Sequence, residues 1–147
     1  MQSIFKYSIV LSLFFFGLSS MAQMSSSQLV GKWVFDYSVS LSKMEPKAQF
    51  LYQSMDAARQ RKLEQAYSGR QFVFTTDGSM MQQLPDGRTS AGSWRLSSDG
   101  LHLEFLDLQN RIQSFLIKER TPVTLVLEAE EKGIAKMLLS EWHLTKQ

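Results

Sequence analysis

The sequence contains no cysteine among its 147 residues, which excludes disulfide bonds, thiol nucleophiles and lipid attachment to cysteine. It contains only two histidines, whereas a zinc site needs three or four donors on one face. Charge is also balanced, with 16 basic and 14 acidic residues and no run of one sign. Proteins that bind nucleic acids carry a basic stripe, so we expect no nucleic-acid partner.

The titratable residues give no pattern typical of catalysis. His102 and His143 each lie in a strand-like segment without a partner at metal-ligand spacing, so we predict no metal and no cofactor. No serine lies in a nucleophile elbow, and no Gly-rich phosphate loop is present. His102 and Glu104 share one strand face, as do Glu141 and His143, but an acid/base pair would require these strands to be inward-facing neighbours. We therefore predict no catalytic residues and expect that the protein is not an enzyme.

Residues 1–22 are predicted to be a Sec-type export signal. Lys6 is the single charge of the first region, Tyr7 to Leu18 form the apolar region, and Ser20-Met21-Ala22 supplies small residues at both recognition positions. The apolar stretch is shorter than the roughly 20 residues of a spanning helix, which favours cleavage after Ala22 over a membrane anchor. The sequence thus predicts a periplasmic or secreted protein without stable membrane insertion.

Residues 23–28 are interpreted as a flexible leader and residues 29–147 as one domain. Three Asp-Gly pairs, at residues 77–78, 86–87 and 99–100, separate segments of alternating apolar and polar residues. Asp-Gly favours tight turns because both residues tolerate a positive φ. The predicted strands are Leu29–Tyr37, Gln71–Thr76, Ser79–Leu84, Thr89–Leu96, Leu101–Leu106, Arg111–Lys118, Val123–Glu130 and Ala135–Thr145.

These about eight short strands predict a mainly β fold, an antiparallel up-and-down barrel, because closure removes exposed edge strands. The alternative is an open, curved sheet packed on a helix, as in cystatin-like α+β domains. Pairing of the last strand with the first would distinguish the barrel from the open sheet.

One helix, from about Lys43 to Ser68, is predicted between the first two strands. Pro46 suits its first turn and Gly69 its C′ position. Charged side chains interrupt its apolar face in the second half, which predicts weaker burial there or a break near Asp56. Such a helix covers one end or side of the sheet, or else it covers a ligand entrance.

The first strand begins Leu29-Val30-Gly31-Lys32-Trp33, and this Gly-x-Trp ahead of a meander resembles the lipocalins and the bacterial lipocalin-like domains. The segments Phe72-Val73-Phe74-Thr75-Thr76-Asp77-Gly78 and Gly92-Ser93-Trp94-Arg95-Leu96 are similar to the second and fourth strands of those proteins. The resemblance implies a barrel with Gly31 and Trp33 as a structural plug at its narrow end. The Arg that packs on this Trp in lipocalins has only Lys136 and Lys146 as nearby counterparts here, and the inserted helix also departs from the family.

The resemblance also implies a ligand at the opposite end, where the first strand ends. The aromatic residues of the strands either fill the barrel or line a pocket, and the sequence leaves both open. A pocket at that end is predicted to be lined by Phe35, Tyr37, Phe72 and Leu84, with Tyr52 and Met55 above it. We thus expect an exported, non-enzymatic binding protein for a small apolar molecule of the cell envelope. The alternative is an envelope interaction or structural module with a filled barrel.

Overall fold

The computed structural model describes residues 25–130 and 138–147 as a closed, all-antiparallel barrel of eight strands with short helices. The predicted export signal lies outside the described residues. The strands are β1 (Gly31–Phe35), β2 (Gln71–Phe74), β3 (Ser79–Gln83), β4 (Thr89–Leu96), β5 (His102–Asp107), β6 (Ile112–Arg120), β7 (Thr124–Ala129) and β8 (Glu141–Lys146). The helices are α1 (Ser26–Leu29), α2 (Tyr37–Ser42), α3 (Pro46–Gln53) and α4 (Ala57–Tyr67).

Each strand pairs with its neighbours along the chain, and β8 returns to pair with β1. Trp33 lies opposite Lys146, and Phe35 lies opposite Leu144. This pairing confirms the predicted barrel and excludes the open sheet. It leaves the described sheet with no edge strand that could pair with another chain.

The three Asp-Gly turns share one geometry. Gly78, Gly87 and Gly100 each have a positive φ, between 71° and 87°. The Asp before each glycine does not adopt a positive φ, although the prediction of these turns relied on both residues tolerating one. Instead its carboxylate accepts the backbone N–H two residues on, at 2.9 to 3.0 Å. The Asp therefore holds the turn through its side chain, and the Gly supplies the left-handed backbone.

The turn between β5 and β6 has the same backbone hydrogen bond, but without an Asp-Gly pair. Asn110 has a φ of 59° and donates its N–H to the carbonyl of Asp107 at 3.0 Å. Asparagine tolerates this conformation better than most residues, because its short polar side chain can bond locally. The turns at residues 75–78, 84–87, 97–100 and 107–110 thus share one backbone hydrogen bond, from the positive-φ residue to the carbonyl three residues before it.

Two helices, α3 and α4, replace the single predicted helix over Lys43–Ser68, and α2 precedes them. The first strand ends at Phe35 rather than at Tyr37, because Asp36 caps α2 by accepting the N–H of Val39 at 3.0 Å. Pro46 begins α3, and Asp56 caps α4 by accepting the N–H of Arg59 at 2.8 Å. The break that the sequence suggested near Asp56 is therefore confirmed, and an earlier helix was missed.

Two other boundaries differ from prediction. Residues 26–29, expected to belong mostly to a flexible leader, form the single turn α1, and Leu29 is fully buried. The last strand, expected over Ala135–Thr145, begins only at Glu141, since Leu138 is helical. Its first three predicted residues, 135–137, lie outside the described residues.

Candidate functional site

The barrel has two unlike ends. The Trp33 end carries α1, the turn at residues 75–78 and the last residue, Gln147, whose N–H donates to the Lys32 carbonyl at 2.9 Å. The opposite end, called the mouth below, carries α2 to α4 and the turns at residues 84–88 and 107–111. Strand direction alone predicts this division, since successive antiparallel strands alternate between the two ends.

Trp33 is buried at its end of the barrel, with 1% of its surface exposed. Its indole N–H donates to the carbonyl of Leu29 at 2.7 Å, which ties α1 to the first strand. The ammonium of Lys146 lies 5.3 Å from the ring centroid and donates to the carbonyl of Gln28 at 3.2 Å. A cation over an indole ring is attracted by its π electrons, so Lys146 packs on this Trp from the last strand.

Gly31, the other residue of the predicted plug, has a φ of 129°. Residues that carry a side chain rarely adopt this backbone conformation, which explains the glycine at this position. A Cβ atom at Gly31 would also lie 2.8 Å from the Lys146 side chain. Glycine thus leaves room for the lysine that lies over Trp33.

Aromatic rings fill the middle of the barrel. Phe105 lies 5.7 Å from Phe72, 5.6 Å from Phe74 and 5.0 Å from Phe115, measured between ring centroids. Trp142 lies 4.9 Å from Phe115 on the other side. All five rings are at least 95% buried. Such contacts are typical of a packed core, so the interior below the mouth is filled by side chains.

The helices cover one side of the mouth. Tyr67 of α4 packs on Phe35 and Trp142 at centroid distances of 5.3 and 5.9 Å. The buried hydroxyl of Ser40 in α2 accepts the backbone N–H of His143 at 3.0 Å. These contacts hold α2 and α4 over β1 and β8, and the described residues leave β3 to β6 uncovered at the mouth.

An open cleft of about 670 Å³ lies over this uncovered side. Its apolar lining residues are Met80, Ala91, Phe105, Leu108 and Ile112, and its polar ones are Gln82, Thr89, Ser90, Asp107, Gln109, Arg111 and Gln113. Met80 and Phe105 are 8% and 5% exposed and form its floor, whereas Leu108 is 77% exposed at the rim. The volume lies within the range of small-molecule sites, and the mixture of apolar and polar groups is typical of them.

Strand register brings the polar groups together. Gln82 lies opposite Ser90, and Gly92 lies opposite both Met80 and Asp107. Gln82, Gly92 and Asp107 continue the inward-facing alternation of their strands one step beyond the buried core, and Ser90 continues it one step further. At Gly92, a Cβ atom would lie 2.2 Å from the backbone oxygen of Leu106, so only glycine fits there.

The amide groups of Gln82 and Gln113 are half-buried and form no hydrogen bond with any described residue. Each amide can donate two hydrogen bonds and accept two. In this structure these unused hydrogen-bond donors and acceptors line the cleft. The hydroxyls of Thr89 and Ser90 in the same cleft are likewise without a described partner.

The two charged residues of the cleft neutralise each other. Asp107 Oδ1 accepts the N–H groups of Gln109 and Arg111 at 2.8 and 2.9 Å. Its Oδ2 accepts Arg111 Nε at 2.5 Å, and Arg111 Nη2 donates to Gln109 Oε1 at 3.0 Å. Backbone hydrogen bonding to Arg111 lowers the pKa of Asp107, and its side chain acts in the same direction. Asp107 therefore stabilises the turn, and the lining carries no net charge.

None of the six residues predicted to line a pocket lies in this cleft. Phe35 and Phe72 are 2% and 1% exposed within the aromatic core, and Leu84 begins the turn at residues 84–88. Tyr52 and Met55 pack against the core from the helical segment.

Tyr37, the sixth of these residues, is 9% exposed, and its hydroxyl has no hydrogen-bond partner among the described residues. Burial raises the pKa of Tyr37, and the neighbouring Tyr52 raises it further. The structure thus places these residues under and beside the helices, while the open space lies across the mouth.

The histidines do not form a shared site. His102 Nδ1 lies 3.0 Å from Glu130 Oε1, and His143 Nε2 lies 2.8 Å from Glu141 Oε1. Both histidines face outward, on strands that are not neighbours. Within residues 25–130 and 138–147, no three His, Cys, Asp or Glu side chains are grouped closely enough to hold a metal ion.

Sequence reasoning missed Gln82, Ser90, Asp107 and Gln113. A signal for them was present, since each lies two residues from an inward-facing residue of its own strand. Continuing the alternation by one step predicts polar groups that face inward at the mouth. Their convergence, however, depends on register across four strands, which alternation does not determine.

No protein-family model matches this sequence. No curated protein is similar to it. Among solved structures, the chain is similar to a DUF4847 family protein from Bacteroides vulgatus ATCC 8482, with a TM-score of 0.46 and 16% identity over 79% of this chain and 91% of that one. None of the helices in the described part of the chain combines the length and apolar character needed to cross a membrane.

Proposed function

We propose that the protein is a non-enzymatic binding protein that holds a small molecule in the mouth cleft. The observation that supports this most is the cleft itself, a space of about 670 Å³ into which two half-buried amides project without partners. Binding sites combine apolar surface with a few polar groups that orient the ligand. The cleft offers both, on strands that are rigidly paired.

The filled interior argues for the mouth rather than the barrel centre as the binding position. The core rings lie at centroid distances near 5 to 6 Å, which leaves no channel between them for a ligand. The sequence predicts an apolar ligand. The cleft favours a ligand that also carries polar groups. An apolar ligand would displace water from the amides and hydroxyls of the lining without replacing their hydrogen bonds, and this would cost free energy.

Export is part of the proposal. The n-region, apolar region and small residues within residues 1–22 support a periplasmic or secreted protein. The Gly-x-Trp at the first strand and the closed barrel support a lipocalin-like protein, a class whose members bind small molecules at the barrel end opposite the Trp.

The alternative is an interaction module with a filled barrel. It is favoured by the aromatic core and by Phe50, which is 71% exposed on α3. A large exposed apolar side chain is common at protein interfaces but is also frequent singly on ordinary surfaces. We therefore place this function second.

The test compares two variants of one strand. Ser90 faces the cleft and Ser93 faces outward, so Ser90→Trp should fill the cleft and Ser93→Trp should leave it open. We would express each in its native host and record native mass spectra of the protein from the cell envelope. We expect the unsubstituted protein and Ser93→Trp to carry a small molecule that organic extraction removes, and Ser90→Trp to lack it.

Equal unfolding midpoints for the two variants would show that both are folded. Native spectra without any bound mass, in a protein that also takes up no hydrophobic dye, would contradict the proposal. They would favour the interaction module instead.

A further inference from the structure

We infer that the ligand of the mouth cleft is an uncharged, hydroxyl-rich molecule, namely a neutral mono- or oligosaccharide. This inference rests on the proposed function, because it concerns the same cleft. It depends on three independent properties of the lining: its charge, its hydrogen-bonding groups and its floor.

The charge of the lining gives no preference for an ionic ligand, because its two charged residues are of opposite sign and paired. Asp107 and Arg111 are the charged members of the lining, and their side chains are joined at 2.5 Å. The remaining contacts of both groups hold the turn at residues 107–111, including the bond from Arg111 to Gln109. An anionic ligand would meet an arginine that is already neutralised, and a cationic ligand would meet a carboxylate in the same condition. A neutral ligand does not have to compete with either member of this ion pair.

The hydrogen-bonding groups fit hydroxyls. Gln82 and Gln113 each present an amide, which donates and accepts, while Thr89 and Ser90 present hydroxyls, which do the same. None of these four side chains has a partner among the described residues. A sugar hydroxyl also donates and accepts, so adjacent hydroxyls can satisfy one amide on both of its atoms. Carboxylates and phosphates accept only, and they would leave the amide oxygens without partners.

The floor is apolar and rigid. Phe105 is fixed by neighbouring rings at 5.0 to 5.7 Å, and Met80 lies beside it in the lining. The C–H face of a pyranose ring can pack on such a surface while its hydroxyls reach the walls. A long acyl chain would need depth instead, and the aromatic core blocks the space below Phe105. The floor therefore favours a short, flat ligand with polar edges.

The experiment measures binding of defined probes to the purified protein by ligand-observed NMR. Neutral probes are glucose, galactose, N-acetylglucosamine and maltose, and the comparison probes are glucuronate, glucosamine and laurate. We expect at least one neutral saccharide to bind, about tenfold more tightly than glucuronate or glucosamine. Gln82→Leu and Gln113→Leu should each weaken its binding by about tenfold, the loss expected when one good hydrogen bond is removed.

Gln83→Leu is the matched control, because Gln83 is the next residue of β3 and does not line the cleft. It should leave binding unchanged, and unfolding midpoints should show that all three variants are folded. Preferred binding of laurate or glucuronate would overturn the inference, and so would unchanged saccharide binding in both cleft variants.

Failure of this inference and failure of the proposed function give different results. A comparison probe that binds more tightly than every neutral saccharide, and that binds the unsubstituted protein and Ser93→Trp but not Ser90→Trp, would overturn the saccharide inference and leave the cleft as a binding site. Absence of binding by every probe at about 10 mM, well above the ~1 mM dissociation constant of a weak complex, would overturn the inference. Together with a native spectrum free of bound mass, it would contradict the proposed function as well.

Discussion

Replacement of Trp33 by alanine should destabilise the protein more than most single changes, because three contacts are lost at once. The side chain is 1% exposed, its indole N–H donates to the Leu29 carbonyl at 2.7 Å, and Lys146 lies over the ring. Truncation of a buried Trp or Phe costs about 3–5 kcal/mol. A domain has only about 5–15 kcal/mol of total stability, so Trp33→Ala should lose a large share of it.

Urea unfolding measures this effect, and Trp94 and Trp142 remain as fluorescent reporters in the variant. At an m-value of about 1–3 kcal/mol/M, the midpoint should fall by about 1 M or more. Trp33→Phe is the matched control, since it keeps most of the apolar contact but leaves the Leu29 carbonyl without its donor. We expect it to cost about 1–3 kcal/mol. A change within about 0.5 kcal/mol for Trp33→Ala, the range of ordinary surface substitutions, would refute the reasoning about this end of the barrel.

Three further predictions concern the barrel and its helices. Gly92→Ala should lower the free energy of unfolding by about 1–3 kcal/mol, because its Cβ would lie 2.2 Å from the backbone oxygen of Leu106. Ser40→Ala should cost about 1–3 kcal/mol, because the N–H of His143 loses its acceptor at 3.0 Å. Hydrogen bonding from a neighbouring threonine, and then from the turn backbone, lowers the pKa of Asp77 from 3.8 to about 2. The stability that the ionised carboxylate contributes should therefore be complete above about pH 4 and be lost as the pH falls through about 2.

Each of these has a direct control. Ala91→Ser changes the residue beside Gly92 and should be nearly neutral, whereas equal losses at both positions would contradict the steric argument. Ser42→Ala removes an exposed hydroxyl of the same helix as Ser40 and should change little. Asp77→Asn should remove part of the dependence of stability on pH between 4 and 2. An unchanged pH profile in that variant, or an Asp77 carboxyl that titrates near 3.8 by NMR, would contradict the third prediction.

The strands could be predicted from the sequence because their signals are local. Asp77-Gly78 and its two counterparts fix where the chain reverses, and alternation fixes which residues face inward. The end of the first strand was not predicted, because it is set by capping. Asp36 ends the first strand by capping a helix, although Asp36 and Tyr37 also fit a continued strand. Propensity does not decide between these outcomes, whereas a hydrogen bond in the folded chain does.

The cleft was harder to predict than the barrel, for a different physical reason. Aromatic residues such as Phe72 serve equally well as core and as pocket lining, and in this barrel they serve as core. The position of the open space depends on which side of the mouth the helices cover. That is decided by contacts far apart in the chain, such as the bond between Ser40 and His143. Neither the pattern of one strand nor that of the helices contains this information.

Gln28 and Gln147 lie at the same end of the barrel as Trp33. Gln28 is tied to Lys146, and the N–H of Gln147 bonds to Lys32. A linker attached after Gln147 would therefore leave from the face that lies a full strand length away from Gln82 and Ser90. Anchored to a sensor chip or a bead through that linker, the protein would present its cleft outward to the solution. Immobilisation thus offers a way to screen ligands without obstructing the site.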